Sequence, residues 1–110
     1  MDIGSEVTND VTVVRFEGNL DTNTSNDAQD YLNKTIDGGA SKVVICFDKV
    51  DFVSSAGLRV LLATAKKLGS GGGSLRICGL NETVAEVFEI SGFSTILNVF
   101  PSETEALAGL

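Results

Sequence analysis

The run KVVICF at Lys42–Phe47 is apolar at every position after its first and is bounded by turn residues. An apolar run this short, with no polar alternation, fits a β-strand buried on both faces. Such a strand belongs inside a partly parallel sheet, so the rest of the chain must supply neighbours on both sides and cover for both faces. Residues 2–8 and 11–17 flank Asn9-Asp10, which reads as a tight turn, and the second run, VTVVRFE, is rich in β-branched residues. Together they predict an antiparallel hairpin. Gly18-Asn19-Leu20-Asp21 then reads as a loop.

Beyond the hairpin, helical stripes and apolar runs alternate. Thr24 with Asp27 resembles a helix N-cap with an acid in its first turn. Ala28, Tyr31, Leu32 and Ile36 recur at helical spacing, and Gly38-Gly39 stops that helix. A second helix is expected from Ser55 to Leu68, with Leu58, Leu61, Leu62, Ala65 and Leu68 as its inward stripe and Gly69 closing it. Leu75–Cys78 is a short buried strand. Asn81 caps a third helix that turns Val84, Val87 and Phe88 inward and ends at Gly92. Ile96–Phe100 reads as the last strand, and Ser102 with Glu105 forms a capping box for a short final helix.

The order β-β-α-β-α-β-α-β-α implies right-handed crossovers. The expected fold is one compact α/β domain over residues 1–110. Its mixed sheet has four to five strands, an antiparallel hairpin and then largely parallel pairs, with about four helices. A chain of 110 residues builds one core of this kind and not two.

Composition narrows the function. Lys and Arg number 8 against 15 Asp and Glu, a net charge of −7. That balance opposes binding to nucleic-acid phosphates and to anionic membrane surfaces. There is no His, which removes His-dependent catalysis and His-ligated metal sites. No metal or cofactor is expected. Cys46 and Cys78 lie inside apolar runs and read as two buried, reduced thiols rather than a disulfide framework. The opening MDIGSEVTND has no basic or apolar signal-peptide region, and no apolar stretch approaches the roughly 20 residues of a membrane span. A cytoplasmic location is the expectation. The glycine run Gly69–Gly73 follows a helix and precedes a strand, the reverse of a phosphate-cradling loop, and reads as a flexible connection. A phospho-acceptor receiver domain fits poorly, because the first strand ends in a hairpin turn and no Lys follows Arg76.

The stretch Asp48–Leu58, DKVDFVSSAGL, joins the buried strand to the second helix. Ser54 or Ser55 can serve as the helix N-cap. A cap does not account for Ser-Ser-Ala-Gly together, since Gly57 in the first turn costs about 1 kcal/mol of helix propensity relative to Ala. Small residues across a helix start imply a close approach to the backbone.

FVSSAGLRVLL resembles the signature of STAS domains, particularly of bacterial anti-sigma factor antagonists. Gly18-Asn19-Leu20-Asp21 resembles the family's glycine-x-hydrophobic-aspartate loop. Phe47–Val53 resembles its strand end, and ETVAEVFEISGFSTILNVFPSETEAL its closing helix, strand and helix. The resemblance covers nearly the whole chain. It implies partner switching rather than enzymatic activity. The unmodified antagonist binds a serine kinase that is also an anti-sigma factor and so frees the sigma factor. The kinase phosphorylates a serine at the helix start, and a serine phosphatase restores it. Aligning on Gly57-Leu58 assigns the acceptor to Ser55 rather than Ser54, and Ser54 stands where many members carry Asp. The alternative is a STAS scaffold subunit of a stress-sensing or lipid-transport complex without an obligatory phosphorylation cycle.

Three further expectations accompany the resemblance. Asp21 orients the Ser55 hydroxyl or the kinase's nucleotide site, or else simply caps its own loop. Asp48 ends its strand beside the serine loop and braces that loop through hydrogen bonds. With Leu58, Leu61 and Leu62 inward, Ala56, Val60 and Ala63 point outward, flanked by Arg59 and Lys67, as a partner-contact patch. The free chain is expected to be a monomer.

Overall fold

The computed structural model describes residues 1–110. Asn9 and Asp10 both take positive φ, 50° and 67°. Two such residues in a row make the turn whose twist suits a two-residue hairpin, and Asn and Asp tolerate that conformation best after Gly. The turn joins β1 (Asp2–Thr8) to β2 (Val11–Leu20), antiparallel, with Thr8 opposite Val11 and Asp2 opposite Glu17. After β2 come α1 (Ser25–Asp37), β3 (Lys42–Val53), α2 (Ser55–Ser70), β4 (Ser74–Cys78), α3 (Glu82–Ile90), α4 (Phe93–Ile96), β5 (Asn98–Phe100) and α5 (Glu103–Leu107).

The sheet has the order β1-β2-β3-β4-β5, with β2, β3, β4 and β5 parallel. Every parallel crossover therefore advances one strand in the same direction. Right-handed crossovers of that kind place α1, α2 and α3 on one face of the sheet. The main core lies there: Phe16, Ile45 and Phe47 from the strands meet Leu32 of α1, Leu61 of α2 and Phe88 of α3. Phe47 stands at its centre, with ring centroids 5.8 Å from Phe16 and 6.3 Å from Phe88, the latter edge-on. On the other face, α5 lays Ala106 over a smaller cluster of Val11, Val13, Val44, Cys46 and Cys78. Arg76 of β4 holds that helix by donating to the carbonyls of Ala106 and Ala108 at 3.0 and 2.7 Å. Its guanidinium also stacks 5.0 Å from the Phe100 ring.

The fold class matches expectation, and the departures are local. Gly18–Leu20 is strand rather than loop, and β3 runs on to Val53 instead of ending at Phe47. Two register shifts, between Arg15/Glu17 and between Gly18/Leu20, give β3 an extra residue each time. These bulges break the apolar pattern, so the exposed Asp48, Lys49 and Asp51 read as loop, although Lys49, Val50 and Val53 still pair with β2. The run Phe93–Ile96 adds a fifth helix, and the last strand shortens to Asn98–Phe100. Gly69 falls inside α2, which continues to Ser70. Thr24 occupies the N-cap position of α1 but makes no side-chain cap there.

Gly57 explains the small residues at the start of α2. A Cβ there would lie 2.7 Å from the Leu20 carbonyl oxygen and 2.8 Å from Leu20 Cγ. The close approach is by the protein's own strand β2, whose last residue is completely buried. Gly57→Ala must push that strand end away. Overpacking of this kind costs about 1–3 kcal/mol, and a backbone clash belongs in the upper part of that range. The gain in helix propensity returns only about 1 kcal/mol. The variant is expected to lose about 1 kcal/mol net, a fall of roughly 4–8 °C in Tm by circular dichroism. An unchanged or raised Tm would show that the junction gives way freely.

Candidate functional site

The site forms where β2 and β3 leave the sheet together. Leu20 is the register partner of Val53, so Asp21 and Ser54 emerge side by side. The Ser54 N–H donates to the Leu20 carbonyl at 2.9 Å, one last rung beyond the ladder. Ser54 is extended, with φ −89° and ψ 173°, and its hydroxyl oxygen accepts from the Gly57 N–H at 3.3 Å. Its carbonyl accepts from Leu58 N at 2.9 Å. Ser54 is thus the N-cap of α2.

Ser55 is the first helical residue and is exposed. Its hydroxyl is not engaged in the cap, which leaves it facing solvent over the positive end of a 16-residue helix. The two serines therefore differ: Ser54 holds the helix start, and Ser55 presents an exposed hydroxyl that is not part of the cap.

Asp21 closes its own loop. Its Oδ1 accepts from the N–H groups of Asn23 and Thr24 at 2.9 and 3.2 Å. Thr24 Oγ1 accepts from Asp21 N–H at 2.9 Å and donates to the Asn19 carbonyl at 2.8 Å. Of the roles expected for Asp21, loop capping is the one its hydrogen bonds display. The stiffened loop in turn fixes Leu20, and so the position of α2.

Asp48 corrects expectation. It lies within β3, well before the serines, because the strand continues through its bulges to Val53. Its carboxylate packs against Gly79 just after β4, where a Cβ would lie in contact with the Asp48 carboxyl group. Bracing from the third-helix side comes instead from Asn81, whose Nδ2 donates to the carbonyls of Val50 and Asp51 at 3.1 and 3.3 Å. The same side chain caps α3 by accepting from Val84 N–H at 2.8 Å. Its cap was legible in the sequence, but the tie to β3 was not, because that tie depends on β3 continuing past Phe47.

Val60 is also a correction. It is 6% exposed and belongs to the main core. Leu62, expected inward, is only partly buried. The buried face of α2 runs through Gly57, Leu58, Val60, Leu61, Thr64 and Leu68. Two of its members, Gly57 and Thr64, carry no apolar signal, so the stripe read from leucines is rotated away from Val60. Thr64 tolerates complete burial because its hydroxyl donates to the Val60 carbonyl at 2.8 Å. The outer face of α2 carries Ser55, Arg59, Ala63 and Lys66, all exposed, with Ala56 and Leu62 partly so. Arg59 follows Ser55 by one turn on the same face. Phe52, 45% exposed just before the serines, is an apolar surface residue that pattern reading did not single out; only the bulged strand shows that it faces out.

Residues 2–106 match the STAS domain family model. BtrV of Bordetella bronchiseptica, which carries a provisional name as an anti-sigma factor antagonist, is 46% identical over 77 residues, 70% of this chain. The matched stretch is 66% of that relative's own length, just under two thirds. The anti-sigma F factor antagonist of Paenibacillus polymyxa is 29% identical over 91% of this chain and 86% of its own. Among solved structures, the Bacillus cell fate determinant SpoIIAA in its phosphorylated form shares the fold, with a TM-score of 0.72, 24% identity and 96% of each chain covered. No helix here is long and apolar enough to cross a membrane. With its sheet order, its serine-bearing helix start and this match across 2–106, the chain belongs to the STAS domain family.

Proposed function

We propose that this chain is an anti-sigma factor antagonist that works by partner switching in the cytoplasm, as a binding module rather than an enzyme. Unmodified, it binds a serine kinase that doubles as an anti-sigma factor and so releases the sigma factor. Phosphorylation of Ser55 ends the complex, and a serine phosphatase restores it. The names of the relatives from Bordetella and Paenibacillus support the class. The observation that carries the reading is the division between Ser54, which caps α2, and the exposed hydroxyl of Ser55.

That division lets a phosphate be added without loss of fold. The group brings about −1.5 to −2 charges. Free N–H groups and the dipole at the helix start favour an anion there, and Arg59 lies one turn on, exposed and outside the salt bridges of the chain. A partner seated over Ser55 meets the opposite situation. It must strip water from a new dianion, and an unpaired buried charge costs several kcal/mol. The outer face of α2, with Ala56, Arg59 and Ala63, together with Phe52, is the surface on which that penalty falls.

Two measurements follow. Incubated with a cognate kinase and ATP, the chain is expected to gain one phosphate by intact mass, localised to Ser55 by fragmentation. Ser55→Ala should take up none and keep its Tm. Ser54→Ala should still be phosphorylated but lose about 1 kcal/mol with its cap, or roughly 4–8 °C in Tm. Phosphate on Ser54 contradicts the assignment, and no uptake at all favours the scaffold role. In calorimetric titration against the kinase, Ser55→Asp and Ala63→Asp are each expected to weaken binding by about 2 kcal/mol, roughly 30-fold. Val60→Asp is unsuitable, since it would put a carboxylate into the core. Lys34→Ala, exposed on α1, should bind like the unaltered chain. Full affinity in both Asp variants would move the interface elsewhere.

A further inference from the structure

The two cysteines face each other on the side of the sheet away from Ser55. Cys46 of β3 and Cys78 of β4 are direct register partners, and their Sγ atoms lie 3.2 Å apart. Neighbouring strands run about 4.8 Å apart, within the Cα separations that a disulfide spans. Both thiols are free and buried, at 2% and 0% exposure. Cys46 nevertheless lies in the wall of a hollow of about 520 Å³ that opens beside it, with Arg15, Asp48 and Lys49 among its lining. A third group meets the pair: Glu103, the first residue of α5, accepts a hydrogen bond from Cys46 at 2.9 Å. The same oxygen is bound by Arg15 at 2.8 Å.

We propose that Cys46 and Cys78 are an oxidation site, closed to a disulfide by a peroxide entering this hollow, with the docking of α5 as its readout. Cys46, reached from the hollow, reacts first. Glu103 takes its proton as the sulfur attacks the peroxide; an S–O bond forms, the O–O bond breaks, and the departing oxygen leaves with that proton as water or alcohol. Cys78 then attacks the Cys46 sulfur. The S–S bond forms, the S–O bond breaks, and the hydroxyl leaves as water with the Cys78 proton. Two electrons pass from the sulfurs to the peroxide, and a small thiol reverses the change by exchange.

Contact with Cys78, burial and the bond it donates to Glu103 keep the Cys46 thiol protonated at neutral pH, so its oxidation needs the carboxylate at its side. Closure removes the thiol proton that Glu103 accepts. It also draws together two sulfurs of the cluster that includes the fully buried Ala106. The consequence falls on α5 and its hold on the sheet, not on the serine surface.

The whole chain, treated with hydrogen peroxide or an alkyl hydroperoxide, is expected to lose two hydrogens by intact mass. Digestion should join the peptides of Cys46 and Cys78, and dithiothreitol should reverse the change. Amide exchange at Ala106 should quicken about tenfold or more in the oxidised form, the scale of a lost charge-assisted hydrogen bond. Cys78→Ala should stop at an oxygen adduct on Cys46. The proposal is overturned by an unchanged mass, by oxygen adducts alone or covalent dimers in the unaltered chain, or by loss of two hydrogens in Cys78→Ala. Unchanged exchange in α5 overturns the coupling. The unaltered chain supplies the deciding measurements, so a poorly folding variant leaves the test intact.

Discussion

The contact between Leu20 and the start of α2 positions everything at the serine end of the molecule. One carbonyl oxygen takes the Ser54 N–H at 2.9 Å, and the same residue's side chain fills the space that a Cβ on Gly57 would need. The hydrogen bond sets where the chain leaves β3; the packing sets how closely the helix can approach. Leu20 is itself fixed by the loop that follows, where Asp21 and Thr24 satisfy each other's backbone groups. A rigid seam between two strand ends therefore aims the helix. The exposed hydroxyl of Ser55 inherits its position from a residue with no polar side chain.

Charge is distributed to the same effect. Among 8 basic residues against 15 acidic ones, three lie on α2. Arg15 is held by Glu6 and Glu103, Arg76 by the carbonyls of α5, and Lys67 by Asp37 at 3.0 Å. Arg59 and Lys66 enter none of these pairs, so the outer face of α2 carries unpaired cations in an otherwise acidic molecule. An anion placed at the helix start gains from that setting even though the net charge of −7 repels anions at long range.

Much of this was legible in the sequence because the signals were local. Asn9-Asp10, the caps at Asn81 and Ser102, and the run through Phe47 each state their conformation within a few residues, and Asn81 and Ser102 do accept from Val84 and Glu105. What escaped depended on neighbours distant in the chain. The bulges in β3 answer to the register of β2, so Asp48–Val53 looked like loop. The buried face of α2 includes Gly57, which is small because of Leu20, and Thr64, which is polar but satisfied by its own helix. A stripe counted in leucines could find neither, and Val60 was turned outward in consequence. At the site itself, the motif located both serines, while only the hydrogen bond from Gly57 told cap from free hydroxyl.

The sheet order repeats the chain order, β1 through β5. Each strand pairs with the one made just before it, and each parallel pairing closes only one crossover connection. No strand waits for a later one to fill a gap beside it, as happens in sheets whose order doubles back. Chain closure is thus divided into short steps of similar length, which keeps the entropic barrier of each one low. The order also means that a growing chain emerging from the ribosome can add strands to a sheet already begun, with the serine helix docked before β4, β5 and α5 have been made.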